Sequence, residues 1–221
     1  MPSRVAAVLA AAAVTAGAAF ADTGRKQIKL TAADQAAARA ALVRRSDLPG
    51  APWLGGRLEP DLSQTPTCRD YRPKQSDLVL TGIAESSFTR RDGRWYVYSG
   101  VQMVRTARML RLDWQRVVVA PRAIRCHRRD IAKRISRNGR LVSFGRIPFP
   151  RLTRYTVEYR AVVYVPAGTD AGRWLVDAVL VGTGRAEMTL NVLARIDARV
   201  ATTKLERRLA RTMVSRARSS R

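Results

Sequence analysis

The chain has 221 residues, with 41 Lys or Arg against 17 Asp or Glu, a formal net charge of +24, one histidine and two cysteines. So few histidines and cysteines leave too few ligands for a His/Cys zinc site. A charge this positive points to anionic partners such as acidic wall polymers, anionic lipid headgroups or nucleic acid.

The amino terminus reads as a cleaved secretory leader. A basic start, Met1-Pro2-Ser3-Arg4, enters the apolar run Val5–Phe20, which closes on Ala19-Phe20-Ala21 ahead of Asp22. Small residues three and one before a cut mark a signal peptide spanning 1–21. No second hydrophobic span follows, so residues 22–221 are expected to form one extracytoplasmic domain with no membrane span. Export argues against nucleic acid and turns the charge toward the cell envelope. Lysine occurs only at Lys26, Lys29, Lys74, Lys133 and Lys204, and every other basic residue is arginine. That skew also fits a GC-rich coding bias that leaves a merely solvated basic surface. In an oxidising compartment the pair Cys68 and Cys126 reads as a disulfide, the alternative being two unrelated buried thiols.

Thr31 predicts a helix N-cap for the alanine-rich stretch Ala32–Val43, which stops at Ser46–Gly50. Residues 51–74 hold several prolines and glycines and read as an irregular segment pinned by Cys68 and Trp53. Strands are predicted at Leu78–Thr89 and Trp95–Val104, joined by a turn containing Asp92-Gly93. Trp95, Val97, Val101 and Met103 share one face of the second strand. Thr106 caps the next helix, Pro121 breaks it, and a second helical piece, Arg122–Ile135, carries Cys126. Strands follow at Leu141–Ile147, Thr156–Val165, Trp174–Val181 and Arg185–Ile196, the third near-continuously apolar and therefore central. The alternation in Arg185–Ile196 predicts one covered face and one polar face. The last helix, from about Ala198 to Arg216, puts Leu205, Leu209, Ala210, Met213 and Ala217 on one side, with Lys204, Arg207, Arg208, Arg211 and Arg218 opposite. This order predicts an α+β fold: an antiparallel twisted sheet of about five or six strands covered by helices, an α/β sandwich.

Catalytic patterns are missing. His127 directly follows Cys126, and adjacent helical side chains diverge too far to pair as thiolate and imidazole. No nucleophile elbow or His-Glu-x-x-His occurs. Gly182–Gly184 reads as a turn between strands rather than a phosphate cradle. Glu158, Asp177 and Glu187 sit on neighbouring strands, where sheet-surface salt bridges to Arg160, Arg173, Arg185 and Arg195 are expected in place of acid–base chemistry. Trp53, Tyr71, Trp95, Trp114 and Trp174 are candidates either for core or for a ligand groove. Lys204, Arg207, Arg208 and Arg211 are the candidate anion-binding residues, with lipid or polymer as partner and solvated helix as the alternative.

The early helix ending in Leu42-Val43-Arg44-Arg45-Ser46-Asp47-Leu48-Pro49-Gly50, then Cys68, the hairpin Leu78–Val104, the helix Thr106–Val119 and Cys126 resemble the PknH-like extracellular sensor domains of actinobacteria. The resemblance implies an α/β sandwich with a cleft for an extracellular ligand and no enzymatic activity. It departs from the family in having one possible disulfide where two are common, and in lacking a kinase domain. The expected function is a secreted, non-enzymatic, sensor-like domain that binds a small molecule or an envelope component without a cofactor. The alternative is a structural envelope protein holding anionic polymer or lipid on its basic surface.

Overall fold

The computed structural model describes residues 25–50, 52–60, 71–166, 168 and 171–219. The leader and Cys68 therefore lie outside the described residues. In chain order the elements are β1 (Gln27–Ile28), α1 (Ala32–Ala41), β2 (Trp53–Leu58), β3 (Val79–Arg90), β4 (Trp95–Val104) and α2 (Ala107–Asp113). A π-helical turn at Trp114–Val118 leads from α2 to α3 (Pro121–Ile135). Then come β5 (Arg140–Ile147), β6 (Tyr155–Val165), β7 (Gly172–Thr183), β8 (Ala186–Arg195) and α4 (Arg199–Ser219). Among the described residues all eight strands hydrogen-bond into one sheet, ordered β1-β3-β4-β8-β7-β6-β5, with β2 also pairing β3 on the β1 side. Pairing is antiparallel throughout except between β1 and β3.

The α+β class is as expected, but the sheet has eight strands rather than five or six. The two additional strands are β1 and β2. Periodicity could reveal neither, because β1 is two residues long and β2, Trp-Leu-Gly-Gly-Arg-Leu, does not alternate. Their order comes from β3. Gln27 and Lys29 donate to the Leu78 and Leu80 carbonyls, both at 2.9 Å. Gly55 takes φ +119°, and a Cβ there would stand 2.2 Å from the Ser87 carbonyl oxygen. Only glycine lets β2 lie this close.

Local signals account for the helix starts. Thr31 accepts a hydrogen bond from the Asp34 amide and Thr106 from the Met109 amide, each at 3.2 Å, and Pro121 opens α3 where its missing N–H costs nothing. Helices α1 and α4 cover one sheet face, packing Ala38, Leu42, Leu205, Leu209 and Met213 against Val97, Val101, Leu190 and Val192. The π turn and α3 cover the other, with Trp114 and Val118 against Val157 and Leu180, and Ile135 against Val163 and Trp174. The sheet is thus buried on both sides, which corrects the expectation of a single covered face. On β8 the polar positions Glu187, Thr189 and Asn191 are 6%, 5% and 0% exposed. Alternation reports which face is apolar, not whether the polar face is roofed. Among the described residues no helix is long and apolar enough to cross a membrane.

Candidate functional site

Antiparallel pairing brings four chain segments to one end of the sheet. Trp95, at the start of β4, pairs with Ala194 near the end of β8, and Trp174, at the start of β7, pairs with Arg195. The turn from Arg90 to Arg94 and the chain leaving β8 at Asp197–Ala198 close around a cavity of about 630 Å³. That volume lies within the range of small-molecule sites. Three arginines (Arg90, Arg94, Arg195), two aspartates (Asp92, Asp197) and both tryptophans line it.

Two of the arginines are held by the sheet. Arg90 Nε lies 2.9 Å from Asp92 Oδ2, and its guanidinium stands 5.7 Å from the Trp95 ring centre. The Arg195 guanidinium stands 5.7 Å from the Trp174 ring and donates to the Ala171 carbonyl. A bare backbone makes that position possible: Gly172 has φ +124°, and a Cβ there would come within 3.0 Å of Arg195 Nη1 and Nη2. Arg94 is exposed, and the hydrogen bond from its backbone amide to Asp92 Oδ1, 3.0 Å, sets the turn. The Arg90 hydrogen bond holds the Asp92 carboxyl below the usual carboxylate range despite some burial. The wall therefore combines fixed cations, two π faces and a smaller acidic share, an arrangement suited to a small ligand with an anionic group.

The predicted aromatics are mostly core. Trp95 and Trp174, 8% and 2% exposed, belong to the packed clusters on opposite sheet faces and also border the cavity. Trp53 is 4% exposed beneath α1 and α4, its Nε1 donating to the Pro49 carbonyl at 2.9 Å. Trp114 packs on Tyr155 with ring centres 5.5 Å apart. Tyr71 donates to the Arg116 carbonyl and packs against Val117 and the buried Cys126. The turn expected at Gly182–Gly184 is narrower: Gly182 and Thr183 still belong to β7, paired with Glu187 and Ala186, and Gly184-Arg185 makes the connection, with Gly184 at φ +59°. His127 is half-buried, with Nε2 3.3 Å from the Val117 carbonyl, and burial pushes its pKa down.

The candidate anion-binding residues Lys204, Arg207, Arg208 and Arg211 are all exposed on α4. Arg208 spends part of its hydrogen-bonding capacity on the Asp47 carbonyl, at 3.0 Å. A second basic row escaped the sequence reading. Arg122, Arg125, Arg129 and Lys133 are exposed along α3, on the opposite face of the sheet. Their spacing of three and four residues was the available signal.

The three strand carboxylates do not form one site. Glu187 lies on the α2 side beside Asp113, to which Lys26 donates, with Gln75 Nε2 3.2 Å from Asp113 Oδ1. Burial, then Asp113, push its pKa up, and Glu187 Oε2 has no hydrogen-bond partner. Glu158 and Asp177 lie on the opposite face under α4, joined there by Glu206. Arg160 grips Asp177 with Nε and Nη2, each at 2.6 Å, and its Nη2 stands 3.9 Å from Glu158 Oε1. Each of the three carboxylates offers an oxygen within 4.8 Å of the others. A metal ion there would compete with Arg160 for Asp177, so this set fits a metal poorly. Glu206 was not foreseen, although it interrupts the apolar stripe of α4 between Leu205 and Leu209. The expected surface salt bridges are not found among the described residues: all three strand carboxylates are buried, Arg160 meets Asp177 beneath α4, Arg185 meets Asp34 at 2.7 Å, Arg195 serves the cavity and Arg173 is exposed. In comparison with known proteins, the chain matches no family model, no curated protein and no solved structure.

Proposed function

We propose that this chain is an exported, non-enzymatic, sensor-like domain that binds a small anionic molecule in the cavity between Trp95 and Trp174. The observation that carries this reading is the ring of Arg90, Arg94 and Arg195 around a cavity of about 630 Å³ with tryptophan in its walls. Arg90 and Arg195 are already ordered by ring and backbone contacts, so a ligand orders little more on arrival. The element order and cysteine placement that resemble PknH-like sensor domains agree with a receptor of this kind. We also assign a Cys68–Cys126 bridge. Tyr71, three positions from Cys68, packs on buried Cys126 and brings the chain to that helix.

Tryptophan fluorescence during titration with a panel of acidic sugars, sugar phosphates and small dicarboxylates tests the proposal. A hit is expected to perturb the emission, to survive moderate salt, and to weaken by about tenfold or more in Arg94→Gln, the loss of a charge-assisted contact. A panel without hits, or an Arg94→Gln protein that binds like the wild type, overturns it.

A second reading is supported by the basic rows on α3 and α4. They lie on opposite faces, so the molecule presents cations on both sides to an acidic wall polymer or lipid surface. Such binding falls steeply with salt. Glutamine at 207, 208 and 211 is expected to reduce liposome or wall binding, and unchanged binding removes α4 from this reading.

A further inference from the structure

Helix α4 is fastened to the sheet partly through a cluster with too much negative charge for its surroundings. From β6 come Glu158 and Arg160, from β7 Asp177, and from α4 Glu206, with exposed Arg207 beside them. The facing positions of β8, Leu190 and Val192, carry no charge. Glu158, Asp177 and Glu206 are 1%, 0% and 0% exposed. Arg160 neutralises Asp177, with both of that residue's oxygens occupied. Nothing comparable serves the other two: Glu206 Oε1 and Oε2 and Glu158 Oε1 have no hydrogen-bond partner. A buried ionised carboxylate without a donor costs several kcal/mol, whereas a carboxylic acid supplies its own donor. A proton on Glu206 can bridge to Asp177 or Glu158, because the Glu206 carboxyl sits in hydrogen-bonding relation to both.

We infer that Glu206, Glu158, Asp177 and Arg160 form a pH-sensitive latch in which a carboxylic-acid proton on Glu206 holds α4 against the sheet, and loss of that proton loosens the helix. Burial is the main force raising the affinity of Glu158 and Glu206 for protons, with Asp177 next; Glu158 is pushed up to about 7 and Glu206 is raised well above the ordinary range. The folded state therefore holds protons that the unfolded chain releases near pH 4.3. Stability from the latch is complete below about pH 4.3 and is lost as pH rises through the folded values, about 7 for Glu158 and well above the ordinary carboxylate range for Glu206. The switch is separate from the cavity, whose lining residues it does not include.

Hydrogen exchange of the full-length protein, corrected for intrinsic rates, tests the latch. Amides of α4 are expected to lose about tenfold or more protection between about pH 5 and about pH 9, relative to amides of β4 and β8. Glu206→Gln, which keeps a neutral donor, is expected to flatten that difference. If the variant does not fold, difference infrared spectroscopy of the wild type reads the same event as loss of a buried carboxylic-acid C=O band across that range. Equal protection at both pH values, an unchanged slope in Glu206→Gln, or no such band overturns the latch. So does calcium or magnesium restoring α4 protection at the alkaline end, because a cation would then be balancing the charge.

Discussion

Single residues in this molecule are set by what lies across the sheet from them, and Asp177 is the clearest case. It is fully buried and receives both arms of Arg160. Asp177→Asn keeps the shape but leaves a buried guanidinium facing an amide, and breaking a buried pair from one side typically costs about 3–5 kcal/mol. Chemical denaturation is expected to show a loss of that size, and a loss below about 1 kcal/mol would contradict the pairing. The sequence marked Arg160 only as one of four arginines near Glu158, Asp177 and Glu187, and as a surface partner rather than a buried one. Glu206 could not be placed that way. Its neighbours Asp177 and Glu158 are distant in sequence, and only the docking of α4 brings them together. At the cavity, Trp95 and Trp174 were visible as large aromatics at strand starts. Their common location depended on the pairing of β4 and β7 with β8, which no local pattern encodes.

Elements were readable wherever a local rule governed them. Thr31 and Thr106 cap their helices as expected, and Asp92-Gly93 turns the β3–β4 hairpin, with Gly93 at φ +71°. Elements made by their partners were not. Strand β2 exists because β3 offers an edge and Gly55 permits the approach. Helix α3 was foreseen with Cys126 on it, and the structure shows that cysteine turned inward, 0% exposed, against Val117 and Tyr71. A bridge from there to Cys68 would close the chain segment between the two cysteines, which carries β3, β4 and α2, and add about 4 kcal/mol in the chain-entropy model. Thiol titration of the denatured, unreduced protein is expected to find no free thiol, and reduction is expected to lower Tm. Two reactive thiols before reduction would remove the bridge.

The whole molecule is a sheet roofed on both faces, with arginine-rich helices outside, two separate buried polar clusters within, and an arginine-lined cavity at one end. Its titrating groups pull stability in opposite directions. The Arg185 hydrogen bond lowers Asp34 and the Arg116 hydrogen bond lowers Asp77, in both cases against burial. Their contribution is present above about pH 4 and is lost as pH falls through the folded values. Glu158, Glu187 and Glu206 act in the other sense, giving a stability that declines toward alkaline pH. The net positive charge was plain in the sequence, but its division into two opposite helical rows and a cavity required the fold. We propose the cavity, rather than the charged exterior, as the receptor site. Amide chemical-shift mapping of the labelled protein during titration with a small anion tests it most directly. Shifts are expected to gather at Arg90–Trp95, Gly172–Trp174 and Arg195–Ala198 and to saturate. Shifts confined to the outer faces of α3 and α4, fading as salt is added, would contradict it.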